Sequence, residues 1–147
     1  TGVADQKRMR LLELGSNERV FTLERVYLAD DDPLNHTIAY LPCKLFPGIG
    51  AYDFSQDSLY RVLEKQYGCQ ITTATRTIEA ILAKEEIARY LQVSPGTPIL
   101  HFECVTKGKM CGRERPIEYF KCCYRSDKFK FYINQVMGGE EGARKDS

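Results

Sequence analysis

Polar and apolar residues alternate over several stretches of the chain, and a side-chain period of two marks β-strands. One such stretch is "RPIEYFKCCYRSDKFKFYI", from Arg115 to Ile133. Its first half, read as a strand, points Ile117, Tyr119, Lys121 and Cys123 one way and Glu118, Phe120, Cys122 and Tyr124 the other. The second face is apolar except for Glu118. A carboxylate on such a face must be paired, neutralised or set in a cavity wall, because burying an unpaired charge is costly. The same alternation puts Phe21, Leu23, Arg25 and Tyr27 on one face of an earlier strand, with Arg25 as its one charge. Asn35, Thr37, Ala39 and Leu41 share a face on the next. "QITTATRTIEAILA" alternates over a longer run and is rich in Thr and Ile, which predicts a long strand. Before it the period changes. Leu59, Val62, Leu63 and Tyr67 fall at helical spacing, with Ser58 at the N-cap and Gly68 as a natural stop.

These elements recur. "ADQKRMRLLELGSNERVFTLERV" from Ala4 aligns with "AKEEIARYLQVSPGTPILHFECV" from Ala83. Arg10 meets Arg89, Leu12 meets Leu91, Glu24 meets Glu103 and Val26 meets Val105. The match continues from "DPLNHTIAYL" to "RPIEYFKCCY", after a longer hairpin in the second copy. The unit is helix, strand, hairpin, strand, used twice. A loop with two prolines and two glycines, "YLPCKLFPGIG", then the helix and the long strand lie between the copies. Strands joined by short hairpins, with helices at their ends, predict an α+β domain: a mostly antiparallel sheet with helices packed on it. The domain is expected over residues 1–137, followed by a polar tail, "GGEEGARKDS", over 138–147.

Composition narrows the function. The 147 residues, 43% hydrophobic and 28% charged, suit one globular domain. Twenty-one basic and 20 acidic residues leave a net charge of +1, which argues against this segment gripping nucleic acid. No apolar run approaches the length needed to span a bilayer and no signal-peptide pattern is read, so a cytoplasmic location is expected. A chain that opens on Thr1 rather than Met reads as a fragment or a processed protein. The six cysteines show no CxxC pair and no small disulfide-scaffold spacing. A zinc site from His101, Cys104 and Cys111 is weighed and set aside in favour of reduced thiols, and no metal or cofactor is expected.

Arg25, Thr37 and Glu118 therefore sit on faces expected to turn inward together. Arg25 and Glu118 could form a buried ion pair of little net worth. Ser58 alone reads as a cap, and Tyr27, Tyr60 and Tyr124 as core residues with satisfied hydroxyls. Taken as a set they suit a polar, anionic small molecule, because the free N–H groups at Ser58 and Leu59 form an anion site and a carboxylate accepts from hydroxyls or an amine.

At this point the motifs resemble a known family. "ERVYLADDDP", "YLPCKLFPGI", "SLYRVLEKQYG", "RTIEAILA", "LQVSPGTPIL" and "PIEYFKCCYRSDKFKF" resemble the UTRA effector-binding domain of GntR-type transcription regulators, HutC subfamily, in the family's order from Val20 to Phe131. The resemblance implies a chorismate-lyase-like fold and a homodimeric small-molecule sensor rather than an enzyme. It implies DNA contact only through an N-terminal winged-helix domain that this chain lacks. It also implies ligand contacts from Arg25, Tyr27, Thr37, Ser58, Tyr60, Glu118 and Tyr124, to which the helix N-terminus adds Leu59. The implied effector is a sugar phosphate or other small polar anion. Sugar-phosphate sensors look to have a second arginine where Tyr27 stands and a glutamate where Thr37 stands. The alternatives are a chorismate-lyase-like enzyme and a dimerisation module with a vestigial pocket.

Overall fold

The computed structural model describes residues 2–136, so the tail expected over 138–147 lies outside the described residues. In chain order the elements are β1 (Gly2–Val3), α1 (Gln6–Leu11), β2 (Arg19–Ala29), β3 (Asp32–Pro42), a 3-10 turn (Ile49–Ala51), α2 (Leu59–Tyr67), β4 (Gln70–Leu82), α3 (Glu85–Leu91), β5 (Pro98–Met110) and β6 (Arg113–Arg125). All six strands form one antiparallel sheet in the order β1-β2-β3-β6-β5-β4. The order is palindromic about the β3–β6 pair. The internal repeat is thus a structural one, and it is larger than the sequence alignment showed: each half is strand, helix, strand, strand, with β1 and β4 as the two outer edges. Both β-hairpins turn on two residues with positive φ, Asp30 and Asp31 in the first and Cys111 and Gly112 in the second. Such turns match the right-handed twist of the strands they join. The second hairpin is longer only because its strands are.

Each helix covers part of the sheet. α2 begins at Ser58 and ends at Gly68, whose φ of 64° stops the helix in a left-handed cap that costs glycine nothing. Its Leu59 and Leu63 pack with Ala39, Leu41, Phe46 and Ile117 on one face. α1 and α3 cover the other face, around Tyr40 with Tyr119 and around Ile99 with Cys123. Their contacts cross the pseudo-axis. Lys7 of α1 bonds Glu103 on β5 at 2.8 Å, and Tyr90 of α3 donates to Glu24 on β2 at 3.3 Å. The repeat-matched glutamates are therefore used in the same way, each by the helix of the opposite half.

One expectation is corrected. Alternation puts Ile117 on the Tyr119 side of β6. Instead, Thr106 pairs with Glu118 and Lys107 with Pro116, so Ile117 is an extra residue in a β-bulge. A bulge interrupts the alternation locally, and Ile117 joins the cluster beneath α2, on the same side as Glu118.

Candidate functional site

Cross-strand partners share a face of a sheet, so the registers name the floor of the site. Arg25, Thr37, Cys122, Phe102 and Ile78 form one row across five strands. Leu23, Ala39, Phe120, Cys104 and Arg76 form the next. Above these rows stand the first turn of α2 and the loop that leads into it. Between floor and helix lies a cavity of about 530 Å³. All eight residues singled out in the sequence line it.

Glu118 is at its base, only 2% exposed. The Tyr60 hydroxyl donates to its Oε1 at 2.6 Å and the Thr106 hydroxyl to the same oxygen at 3.2 Å. Burial pushes the Glu118 carboxyl above its ordinary range, opposed by those two donors and by the charges of Arg25 and Arg76. The same burial, with the carboxylate beside it, raises the Tyr60 phenol. The buried Arg25–Glu118 ion pair weighed in the sequence is not formed: no carboxylate among the described residues lies within ion-pair distance of Arg25. Its guanidinium lies 5.3 Å from the Tyr27 ring centroid, and its Nε is buried without a hydrogen-bond partner.

The remaining members differ in what they offer. Ser58 caps α2 through its backbone only, and its hydroxyl makes no cap hydrogen bond. Ser58, Leu59 and Tyr60, the start of α2, all line the cavity, and a helix N-terminus favours an anion. Leu59 contributes backbone, its side chain being in the core. Thr37 uses its hydroxyl inside the wall, donating to Asn35 at 3.2 Å and lying 3.0 Å from the Cys122 thiol. Tyr27 is 43% exposed at the rim. Tyr124 stacks on Phe129 with centroids 4.1 Å apart, and burial pushes its phenol up to about 12.

Residues 2–130 match the model of the UTRA domain. The chain belongs to the UTRA domain family. The regulator YurK of Bacillus subtilis is 25% identical over 123 residues, which are 84% of this chain and 50% of YurK. The mannosyl-D-glycerate transport/metabolism system repressor MngR of Escherichia coli is 27% identical over 130 residues, 88% of this chain and 52% of MngR. The chain thus spans about half the length of these regulators. The crystal structure of a GntR-family transcriptional regulator from Enterococcus faecalis V583 superposes with a TM-score of 0.82 at 31% identity, covering 90% of this chain and 93% of that one. This UTRA domain is therefore the effector-binding part of a GntR-family regulator.

Three contributors escaped the sequence reading. Thr106 is the cross-strand partner of Glu118, a pairing set at the edge of the bulge. The loop residues from Phe54 to Asp57 line the cavity without any periodic signal. Arg76 reaches it from β4, a strand exposed along nearly its whole length, so no apolar face marked which side of it looks inward. The zinc grouping does not assemble. His101 pairs with Glu79 and Cys123 on the opposite face from Cys104, and Cys111 is at a hairpin turn.

Proposed function

We propose that this UTRA domain senses a small polar anion, a sugar phosphate or a molecule of similar chemistry, and transmits its binding through a homodimer to DNA-binding domains elsewhere in the regulator. The observation that carries the reading is the pairing, in one cavity, of an acceptor and an unpaired cation. Glu118 is held by Tyr60 and Thr106 through a single oxygen, so its other oxygen can accept from hydroxyls or an amine. Arg25, free of any carboxylate and lining the same cavity as the start of α2, suits the anionic end, since a guanidinium offers a fork of donors to phosphate or carboxylate. A relative that represses a mannosyl-D-glycerate system fits a ligand of this kind. Sensing is favoured over turnover because, among the described residues that line the cavity, no activated nucleophile accompanies Glu118: burial raises the Cys122 thiol and keeps it protonated.

The exposed edge strand β4 suits pairing with a second copy. A dimer would present two DNA-binding heads to a two-fold operator. Ligand shifts such a pair only by its differential affinity for two arrangements. A thermal-shift screen of sugar phosphates, sugar acids and amino acids tests the reading. A saturable rise in melting temperature with one class, reduced in Arg25→Ala, is expected. No stabilisation by any class overturns it.

A further inference from the structure

Two guanidinium groups enter the cavity from opposite sides of the sheet centre. Arg25 comes from β2. Arg76 comes from β4, four strand spacings away, about 19 Å between backbones. The Arg76 guanidinium does not stay over its own strand. It lies 5.9 Å from the ring centroid of Phe120 on β6, two strands inward. Its cross-strand partner on the way is Cys104 of β5. Its charge, like that of Arg25, acts on both Glu118 and Cys122, so both cations bear on the same hollow. Among the described residues neither pairs with a carboxylate at ion-pair distance.

An edge-strand arginine usually lies out in water, where its charge is well solvated. Arg76 is exposed too, but its side chain lies inward across the sheet face, toward the ring of Phe120. The two guanidinium groups are also anchored on different elements of the floor. They rest over different rings, Tyr27 on β2 and Phe120 on β6, whose strands are about 10 Å apart. Glu118 lies in the base of the same hollow and is an acceptor.

We propose that Arg76 is a second anion-binding residue, and that the effector carries two separated acid groups, one held by Arg25 and one by Arg76, with a hydroxylated or amino segment between them on Glu118. The inference rests on the reading of this cavity as the effector site and narrows its ligand class. The two acid groups are a phosphate and a carboxylate, or two carboxylates.

Four probes on a six-carbon skeleton separate these cases by titration calorimetry on the whole chain. Glucose 6-phosphate and gluconate carry one acid group, 6-phosphogluconate carries a phosphate and a carboxylate, and glucarate carries two carboxylates. At least one doubly acidic probe is expected to bind about tenfold or more tighter than both singly acidic ones, the scale of one charge-assisted hydrogen bond. Which of the two it is names the second group. Arg76→Gln is expected to erase that advantage and to leave the melting temperature of the free protein unchanged, because Arg76 is exposed. Equal binding of singly and doubly acidic probes, or a preference that survives Arg76→Gln, overturns the inference and leaves the effector reading standing. Absence of binding by both doubly acidic probes also overturns it, while the wider thermal-shift screen judges the effector reading separately.

Discussion

The Tyr60 hydroxyl lies 2.6 Å from Glu118 Oε1 and joins the first turn of α2 to the centre of the sheet. The contact ties an exposed helix end to a carboxylate that is 2% exposed. It links the floor of the cavity to its roof.

Glu118→Gln separates a binding role from a structural one. Burial raises the Glu118 carboxyl above the ordinary glutamate value of 4.5. The folded chain therefore holds this proton more tightly than the unfolded chain, and stability is lost as pH rises from about 4.5 through the raised value. Glutamine does not titrate, and its carbonyl still accepts from Tyr60 and Thr106. The variant should melt at or above the wild-type temperature at pH 7.5, with the gap closing as pH falls toward 4.5, while effector affinity drops. A strongly lowered melting temperature at pH 7.5 with unchanged affinity would assign Glu118 to structure alone.

Arg25→Ala should weaken effector binding by about 1.5–3 kcal/mol, the scale of a hydrogen bond to a charged group. Stability should change little, because Arg25 has no ion-pair partner to strand. Calorimetry with an effector identified by the screen checks it, and wild-type affinity in the variant would remove Arg25 from the site.

Tyr60→Phe removes the shorter of the two bonds to Glu118. It leaves a buried carboxylate with one donor, at a cost of about 1–3 kcal/mol. Because the lost donor favours the ionised form, the carboxyl should titrate higher still. Urea unfolding at pH 5 and pH 8 should show the larger loss at pH 8. An equal loss at both would mean that the bond does not act on the charge.

Gly108→Ala tests the bulge region. A Cβ there would stand 2.8 Å from Cys69 Sγ and 3.0 Å from the Gln70 carbonyl oxygen, with Ile117 Cδ1 at 3.2 Å. The backbone oxygen cannot yield easily, so overpacking should cost about 1–3 kcal/mol in chemical denaturation. A neutral change would show that β4 and β5 separate more readily than their pairing suggests.

Sedimentation at about 50 µM should show a dimer, a concentration at which moderate association is saturated. Lysine at Thr75 and Thr77, on the exposed strand β4, should shift the equilibrium to monomer without unfolding the chain. A wild-type monomer at that concentration would remove the dimer from the proposed mechanism.

Much of the fold was legible in the sequence, because short-range rules govern it. Alternation located the strands, a change of period located α2, and Ser58 with Gly68 bounded it. The repeat foretold the two halves, though it missed that β1 and β4 belong to them, since two residues of β1 carry no periodic signal. Inward positions for Arg25, Thr37 and Glu118 followed from alternation alone. The Ile117 bulge did not, because one extra residue leaves no mark in composition and shows only in its cross-strand partners.

By itself, then, the sequence determined the long strands, the helix α2 and its ends, and most of the side chains that share a face, because each of these depends on neighbours a few positions away. Only the tertiary structure decided which faces meet. Tyr60 and Thr106 converge on one oxygen of Glu118 from 58 and 12 residues away. Phe129 returns to stack on Tyr124, and Arg76 reaches over Phe120 from the far edge. The contacts of Thr106 and Arg76 depend on a strand order of 1-2-3-6-5-4 and on its registers. Those are set by the joint packing of the whole sheet against three helices, which no local pattern encodes.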